Sequence, residues 1–202
     1  MRHDGSMSSP SDLDLVLGYS GAEADAHQLT EVGPQMFSTP FWTPAMCAAV
    51  IRAAEAVGGF EPQPDDPVPG HEVSLAAISP ALYSRFEIDL GMRLWPLLQE
   101  RWPLIDYCGL RDAFVIKYEM GAQTELRLHH DVAQVSASMK LNDGYTGAEL
   151  EFPQQGYVNS DLAVGSLVVW PSLVTHPHQT LPLMSGVKYG LTIWFEIPEQ
   201  YS

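Results

Sequence analysis

From Asp112 to Glu196 apolar and polar positions alternate. The stretches DAFVIKYEM, TELRLHHD, VSASMKLN, AELEF, GSLVVWPS and VKYGLTIWFE each put their two kinds of side chain on opposite faces, and Gly, Asn, Asp and Pro separate them. Six short strands are predicted. The first half has a different texture. In TPAMCAAVIRAAEAVGG, Thr43 stands as an N-cap, Pro44 takes the first helical position and Gly58-Gly59 marks the stop, which predicts a helix. A strand is expected from Glu72 to Ile78. Ser79-Pro80 then opens a second helix running to about Leu90, and a third runs from about Met92 to Arg101. Between the first helix and that strand EPQPDDPVPGH, residues 61–71, has prolines too closely spaced for a helix or a central strand; it is a loop and a candidate lid. Helices first and short strands afterwards predict an α+β domain in which helices buttress an antiparallel sheet or barrel.

Composition narrows this picture. With 202 residues, 46% of them hydrophobic, the chain suffices for one good core and is short for two. Residues 1–35, rich in Ser, Gly, Asp and Glu with one apolar patch at Leu13 to Leu17, read as an N-terminal extension that adds one edge strand and has a disordered tip; residues 36–202 form a single domain. A net charge of -15 with only ten Lys and Arg excludes a nucleic-acid partner. No apolar run approaches the roughly 20 residues needed to cross a bilayer. Two cysteines without motif spacing, and no secretory apolar segment in MRHDGSMSSPSD, point to a reducing, cytoplasmic setting. Nothing in the sequence fixes an oligomeric state.

The candidate chemistry lies in LRLHHD and THPHQ. On a strand, residues two apart share a face, so His129 and Asp131 converge while His130 points away. Glu125 and Arg127 fall on the ligand face, where either can meet a substrate. THPHQ offers His176 or His178 as a third ligand. Two imidazoles and a carboxylate make the facial triad of non-haem Fe(II) oxygenases, which leaves three coordination positions open. His3, His27 and His71 have no partners in sequence. VKYGLTIWF places Lys188, Gly190, Thr192 and Trp194 on one face, opposite the apolar Tyr189, Leu191, Ile193 and Phe195. A cation, a bare backbone and a hydroxyl together suit a pocket for a small dicarboxylate. Ser136, Ser138 and Lys140 of VSASMKLN form a second such face, which makes Lys140 a rival anchor.

The combination of Tyr118, His129-x-Asp131, Leu141-Asn142, Gly147, Leu150-x-Phe152, His178, Gly186 and Lys188 resembles the Fe(II)/2-oxoglutarate-dependent dioxygenases of the prolyl and lysyl hydroxylase superfamily, above all the catalytic domain of the procollagen-lysine hydroxylases. The resemblance spans about Asp112 to Pro198. In the family a basic residue follows the distal histidine by ten positions; counting back from Lys188 gives His178, with His176 as an accompaniment. Most lysyl hydroxylases carry Arg where Lys188 stands, and collagen prolyl hydroxylases carry Lys.

The resemblance implies a double-stranded β-helix, a cupin-like jelly-roll barrel buttressed by N-terminal helices. It implies Fe(II) held by His129, Asp131 and His178, and 2-oxoglutarate held by Lys188 with Tyr118, Ser138 and Thr192. Arg127 and Trp194 are then left to meet the substrate. The implied reaction consumes O2 and 2-oxoglutarate, releases succinate and CO2, and hydroxylates an unactivated C–H bond of an amino-acid side chain, a peptide or a small natural product. Two other readings are a non-catalytic cupin-like barrel that binds a metal or small ligand, and a zinc hydrolase using His129, His176 and His178 with Asp131 as base.

Overall fold

A computed structural model describes residues 11–19, 28–62, 68–103, 105, 107–172 and 174–197. The tip of the N-terminal extension, His3, His27 and the centre of the candidate lid, residues 63–67, lie outside them. In chain order the elements are α1 (Asp12–Tyr19), β1 (Thr30–Gly33), β2 (Met36–Pro40), α2 (Pro44–Val57), β3 (Glu72–Ser74), α3 (Leu75–Ile78), α4 (Pro80–Asp89) and α5 (Trp95–Arg101). These are followed by β4 (Gly109–Glu119), β5 (Leu126–His129), β6 (Val135–Lys140), β7 (Thr146–Gly147), β8 (Leu150–Phe152), β9 (Tyr157–Val158), β10 (Ser166–Pro171), β11 (His178–Thr180), β12 (Leu183–Ser185) and β13 (Val187–Glu196).

The helix starts follow from local chemistry. The Thr43 hydroxyl accepts the Met46 amide at 3.2 Å, the Ser79 hydroxyl accepts the Leu82 amide at 3.0 Å, and each helix opens on a proline. The strand expected over Glu72 to Ile78 stops at Ser74, because the Ser74 hydroxyl caps Ala76 and turns the chain into α3. Between α4 and α5 the helix widens into a π turn over Leu90–Leu94. The apolar patch of the extension is a helix, α1, whose Leu15 and Tyr19 enter the main core. Its anchor is a buried carboxylate: Asp89 accepts the Tyr19 hydroxyl at 2.5 Å and the Arg93 guanidinium at 2.6 Å. The edge strand lies further along the extension, as β1.

The strands form antiparallel sheets. The larger has the order β1-β2-β10-β6-β13-β4-β3, the smaller β5-β11-β8-β9, and β12 pairs with β7. β13 is central to the larger sheet, paired with β4 from Val187–Glu119 to Glu196–Gly109 and with β6 from Gly190–Lys140 to Phe195–Val135. Its alternation separates two environments. Leu191, Ile193 and Phe195 are fully buried in the core shared with the helices, Phe195 meeting Trp95 edge-on at 5.4 Å. Lys188, Gly190, Thr192 and Trp194 turn the other way, into a cavity between the two larger sheets. Among the described residues no helix is long and apolar enough to cross a membrane, and both cysteines are buried and outside any disulfide.

Asn142 and Gly147 of the sequence motif serve the backbone. The Asn142 amide donates to the Val187 carbonyl at 2.8 Å and its oxygen accepts the Tyr189 amide at 2.7 Å, which fixes the start of β13. Gly147 has φ +77°, and a Cβ there would stand 2.2 Å from the Pro182 carbonyl oxygen. Gly147→Ala should therefore cost at least ~2 kcal/mol. Gly156, with φ +65° and open space around it, is the control; its Ala variant should lose about 1 kcal/mol. Urea midpoints of the two variants measure the difference, and equal losses would contradict the steric argument.

Candidate metal centre and co-substrate pocket

Cross-strand pairing of His178 on β11 with His129 on β5 sets two imidazoles side by side, their ring centroids 4.5 Å apart. Backbone carbonyls fix both rings. His129 Nδ1 lies 2.7 Å from the Arg127 oxygen and His178 Nδ1 lies 3.1 Å from the His176 oxygen. A carbonyl only accepts, so Nδ1 carries the proton and Nε2 presents a lone pair. Both Nε2 atoms face Asp131, His129 at 3.6 Å from Oδ1 and His178 at 3.7 Å from Oδ2.

These residues meet the demands of a metal ion. One donor atom from each of His129, Asp131 and His178 lies within 4.8 Å of the others. Two donors on one ion, each at ~2.1 Å, stand roughly 3 to 4 Å apart, which matches the two His–Asp separations. Asp131 Oδ2 is buried and has no hydrogen-bond partner among the described residues, an arrangement that is costly unless a cation completes it. Burial pushes the Asp131 carboxyl up, but His129, His178 and Ser136 outweigh it and hold the group below its ordinary value. Burial also pushes His178 down, against the pull of Asp131. A carboxylate and neutral imidazoles are the forms that ligate.

His176 is turned elsewhere. Its Nε2 lies 2.9 Å from the Pro34 carbonyl and its Nδ1 2.9 Å from the Thr175 hydroxyl, so both ring nitrogens are engaged. The zinc-hydrolase arrangement, which needs His176 on the ion, does not fit.

A cavity of about 310 Å³ extends from the triad between the sheets. At one wall Lys188, 7% exposed, donates to the Ala148 carbonyl at 2.6 Å and lies 4.8 Å over the Tyr118 ring, its cross-strand neighbour. Burial pushes its ammonium down to about 7, with Glu149 drawing it up and Lys140 lowering it further. Tyr118 shares a hydrogen bond of 3.0 Å with Thr180. Ser138 and Thr192, paired across β6 and β13, also line the cavity, as does Trp194, packed edge-on against Phe114 at 5.1 Å. Lys140, the rival anchor, does not: its ammonium is bound to Asp143 at 2.7 Å.

Three placements differ from the alternation expected of LRLHHD. β5 ends at His129, and its register with β11 shifts between His178 and Thr180, so Leu126 and His129 both line the cavity although they are three apart. Arg127 consequently lies outside the cavity lining; it is exposed, with its guanidinium on the Leu128 carbonyl at 3.1 Å. Glu125 is outside it as well. His130, beyond the end of the strand, lines the cavity while remaining exposed. Sequence reasoning missed Thr180, whose signal was its position two residues after His178 on one strand. It also missed Glu72 of β3, while Val68 and Gly70, from the described end of the candidate lid, line the cavity as well.

No family model matches the chain. The procollagen lysyl hydroxylase and glycosyltransferase of Acanthamoeba polyphaga mimivirus is 25% identical over 180 residues, 80% of this chain and 19% of that protein. The human multifunctional procollagen lysine hydroxylase and glycosyltransferase LH3 is 32% identical over 79 residues, 38% of this chain and 11% of that protein. The chain thus spans a fifth or less of the length of these two relatives. Among solved structures, the viral collagen prolyl hydroxylase of Paramecium bursaria Chlorella virus-1, in its 2-oxoglutarate complex, superposes with a TM-score of 0.62 at 16% identity, covering 83% of this chain and 98% of that one. A Pseudomonas putida prolyl-4-hydroxylase gives 0.59 at 19% identity, with coverage of 81% and 93%. By sequence the chain is similar to part of the procollagen lysyl hydroxylases, and its fold is similar to that of the Fe(II)- and 2-oxoglutarate-dependent prolyl hydroxylases.

Proposed function

We propose that the chain is an Fe(II)- and 2-oxoglutarate-dependent dioxygenase that hydroxylates an unactivated C–H bond of an amino-acid side chain, a peptide or a small natural product. The observation that carries this reading is the unpartnered, buried Asp131 oxygen between two inward-facing imidazoles, in a cavity whose wall holds a buried ammonium. A non-catalytic barrel would have no use for that ammonium, which burial disfavours. The larger sheets facing each other across the site support a double-stranded β-helix barrel, and two buried cysteines outside any disulfide suit a reducing, cytoplasmic compartment.

When bound, iron and 2-oxoglutarate supply the oxidising power, with O2 consumed and succinate and CO2 released. The chain supplies placement. His129, Asp131 and His178 would hold the ion. Lys188 neutralises the distal carboxylate of the co-substrate, and Tyr118, Ser138 and Thr192 offer it hydroxyls. Trp194 and Phe114 form an apolar wall that excludes water and receives the substrate.

Anaerobic addition of Fe(II) and 2-oxoglutarate to the purified protein should produce the visible charge-transfer band of a chelated iron. Admission of O2 should then yield succinate, fastest with the true substrate in panels of amino acids, peptides and small natural products. Absence of the band would refute the proposal.

A further inference from the structure

The two histidines of the triad are held by different means. His129 rests on the rim with its Nδ1 on the Arg127 carbonyl. His178 is enclosed. Its ring lies nearly parallel to Phe152, centroids 5.1 Å apart and planes at 29°. Trp170 stands against it at 4.9 Å and 69°, and Phe152 and Trp170 meet each other at 4.8 Å and 74°. All three side chains are buried. Phe152 and His178 come from the neighbouring strands β8 and β11 of the smaller sheet, whereas Trp170 comes from β10 of the larger one and reaches across.

One hydrogen bond at Nδ1 leaves an imidazole free to rock about that contact. Two aromatic surfaces, one against its face and one at a steep angle, remove the remaining freedom and hold Nε2 toward Asp131. We propose that Trp170, acting with Phe152, is a positioning residue for the metal ligand His178, fixing its ring plane before any ion arrives. The inference rests on the reading of the triad as a metal site.

Titration with Co(II) alone, followed by calorimetry, tests it together with the melting temperature of the metal-free protein. Trp170→Leu keeps the site apolar but removes the ring, and should weaken Co(II) binding about tenfold to a hundredfold, the usual effect of losing a group that orients a ligand. Trp170→Phe retains an aromatic surface and should restore most of that affinity. A purely structural role would lower the melting temperature of both variants and leave Co(II) affinity alone. Phe152→Leu, a smaller change in volume, should also weaken Co(II) binding and carries the test if Trp170→Leu does not fold. Wild-type affinity in the folded Leu variants would overturn the inference. A wild-type protein that takes up no Co(II) would instead overturn the metal-site reading, and this inference with it.

Discussion

Lys188→Met is expected to weaken 2-oxoglutarate binding by about two to three orders of magnitude, the effect of removing one member of a buried ion pair, while the protein keeps its affinity for the metal. The distal carboxylate would enter a site where, among the described residues, no other Lys or Arg lines the cavity, since Lys140 is bound to Asp143 and Arg127 lies outside the lining. A pH dependence accompanies the loss. In the co-substrate-free protein burial holds Lys188 at about 7, so around neutral pH the amine is only partly charged. A dicarboxylate pairs with the charged form and raises that value. Above about pH 7, up to the raised value in the complex, apparent affinity should therefore fall about tenfold per pH unit, with uptake of one proton on binding. Below pH 7 the slope should vanish. The same group acts on stability: between about 7 and its unfolded value of 10.5 the unfolded chain binds a proton that the folded chain does not, so this contribution rises with pH across that window and is lost as pH falls through it. Binding calorimetry at about pH 8 in two buffers of different protonation enthalpy measures the uptake. No uptake in wild type, or undiminished binding in Lys188→Met, would remove Lys188 from the anchor role.

How far the sequence was readable depends on where each determinant sits. β13 was legible over Val187–Glu196 because a central strand must satisfy neighbours on both edges and different environments on its two faces, which leaves a clean alternation. α2 was legible because Thr43, Pro44 and Gly58 act within one turn of its ends. Long-range contacts left no such trace. The docking of α1 depends on Asp89, seventy residues beyond Tyr19, and only the spacing of Leu15 and Tyr19 hinted at a helix. The strands β7, β9, β11 and β12 run two or three residues, too few for a period to register. Arg127 was placed by an alternation that holds only while a strand continues. A register shift and the end of β5 at His129 broke it. From spacing on a strand alone, His176 and His178 were equal candidates, because they share a face. What separates them is the Pro34 carbonyl, 142 residues away in sequence, which holds the ring of His176.

That contact sets up a paired test with opposite outcomes. His178→Ala removes one of three donors; Co(II) or Fe(II) affinity should fall at least about a hundredfold, and the charge-transfer band with 2-oxoglutarate should disappear. His176→Ala should keep the band. What holds His178 Nδ1 is the carbonyl of residue 176, a backbone atom that survives the substitution. The cost appears as stability: two part-buried hydrogen bonds, to the Pro34 carbonyl and the Thr175 hydroxyl, are lost, which at about 0.5–1.5 kcal/mol each should lower the unfolding free energy by roughly 1–3 kcal/mol. The metal provides a second readout, because an ion that binds only the folded chain stabilises it by about 2.7 kcal/mol at a hundred times its dissociation constant. Melting temperature should therefore rise on adding Co(II) for wild type and for His176→Ala, from a lower starting point in the latter, and should stay put for His178→Ala. A band that survives in His178→Ala and vanishes in His176→Ala would reverse the ligand assignment, and with it the meaning of the unpartnered oxygen on Asp131.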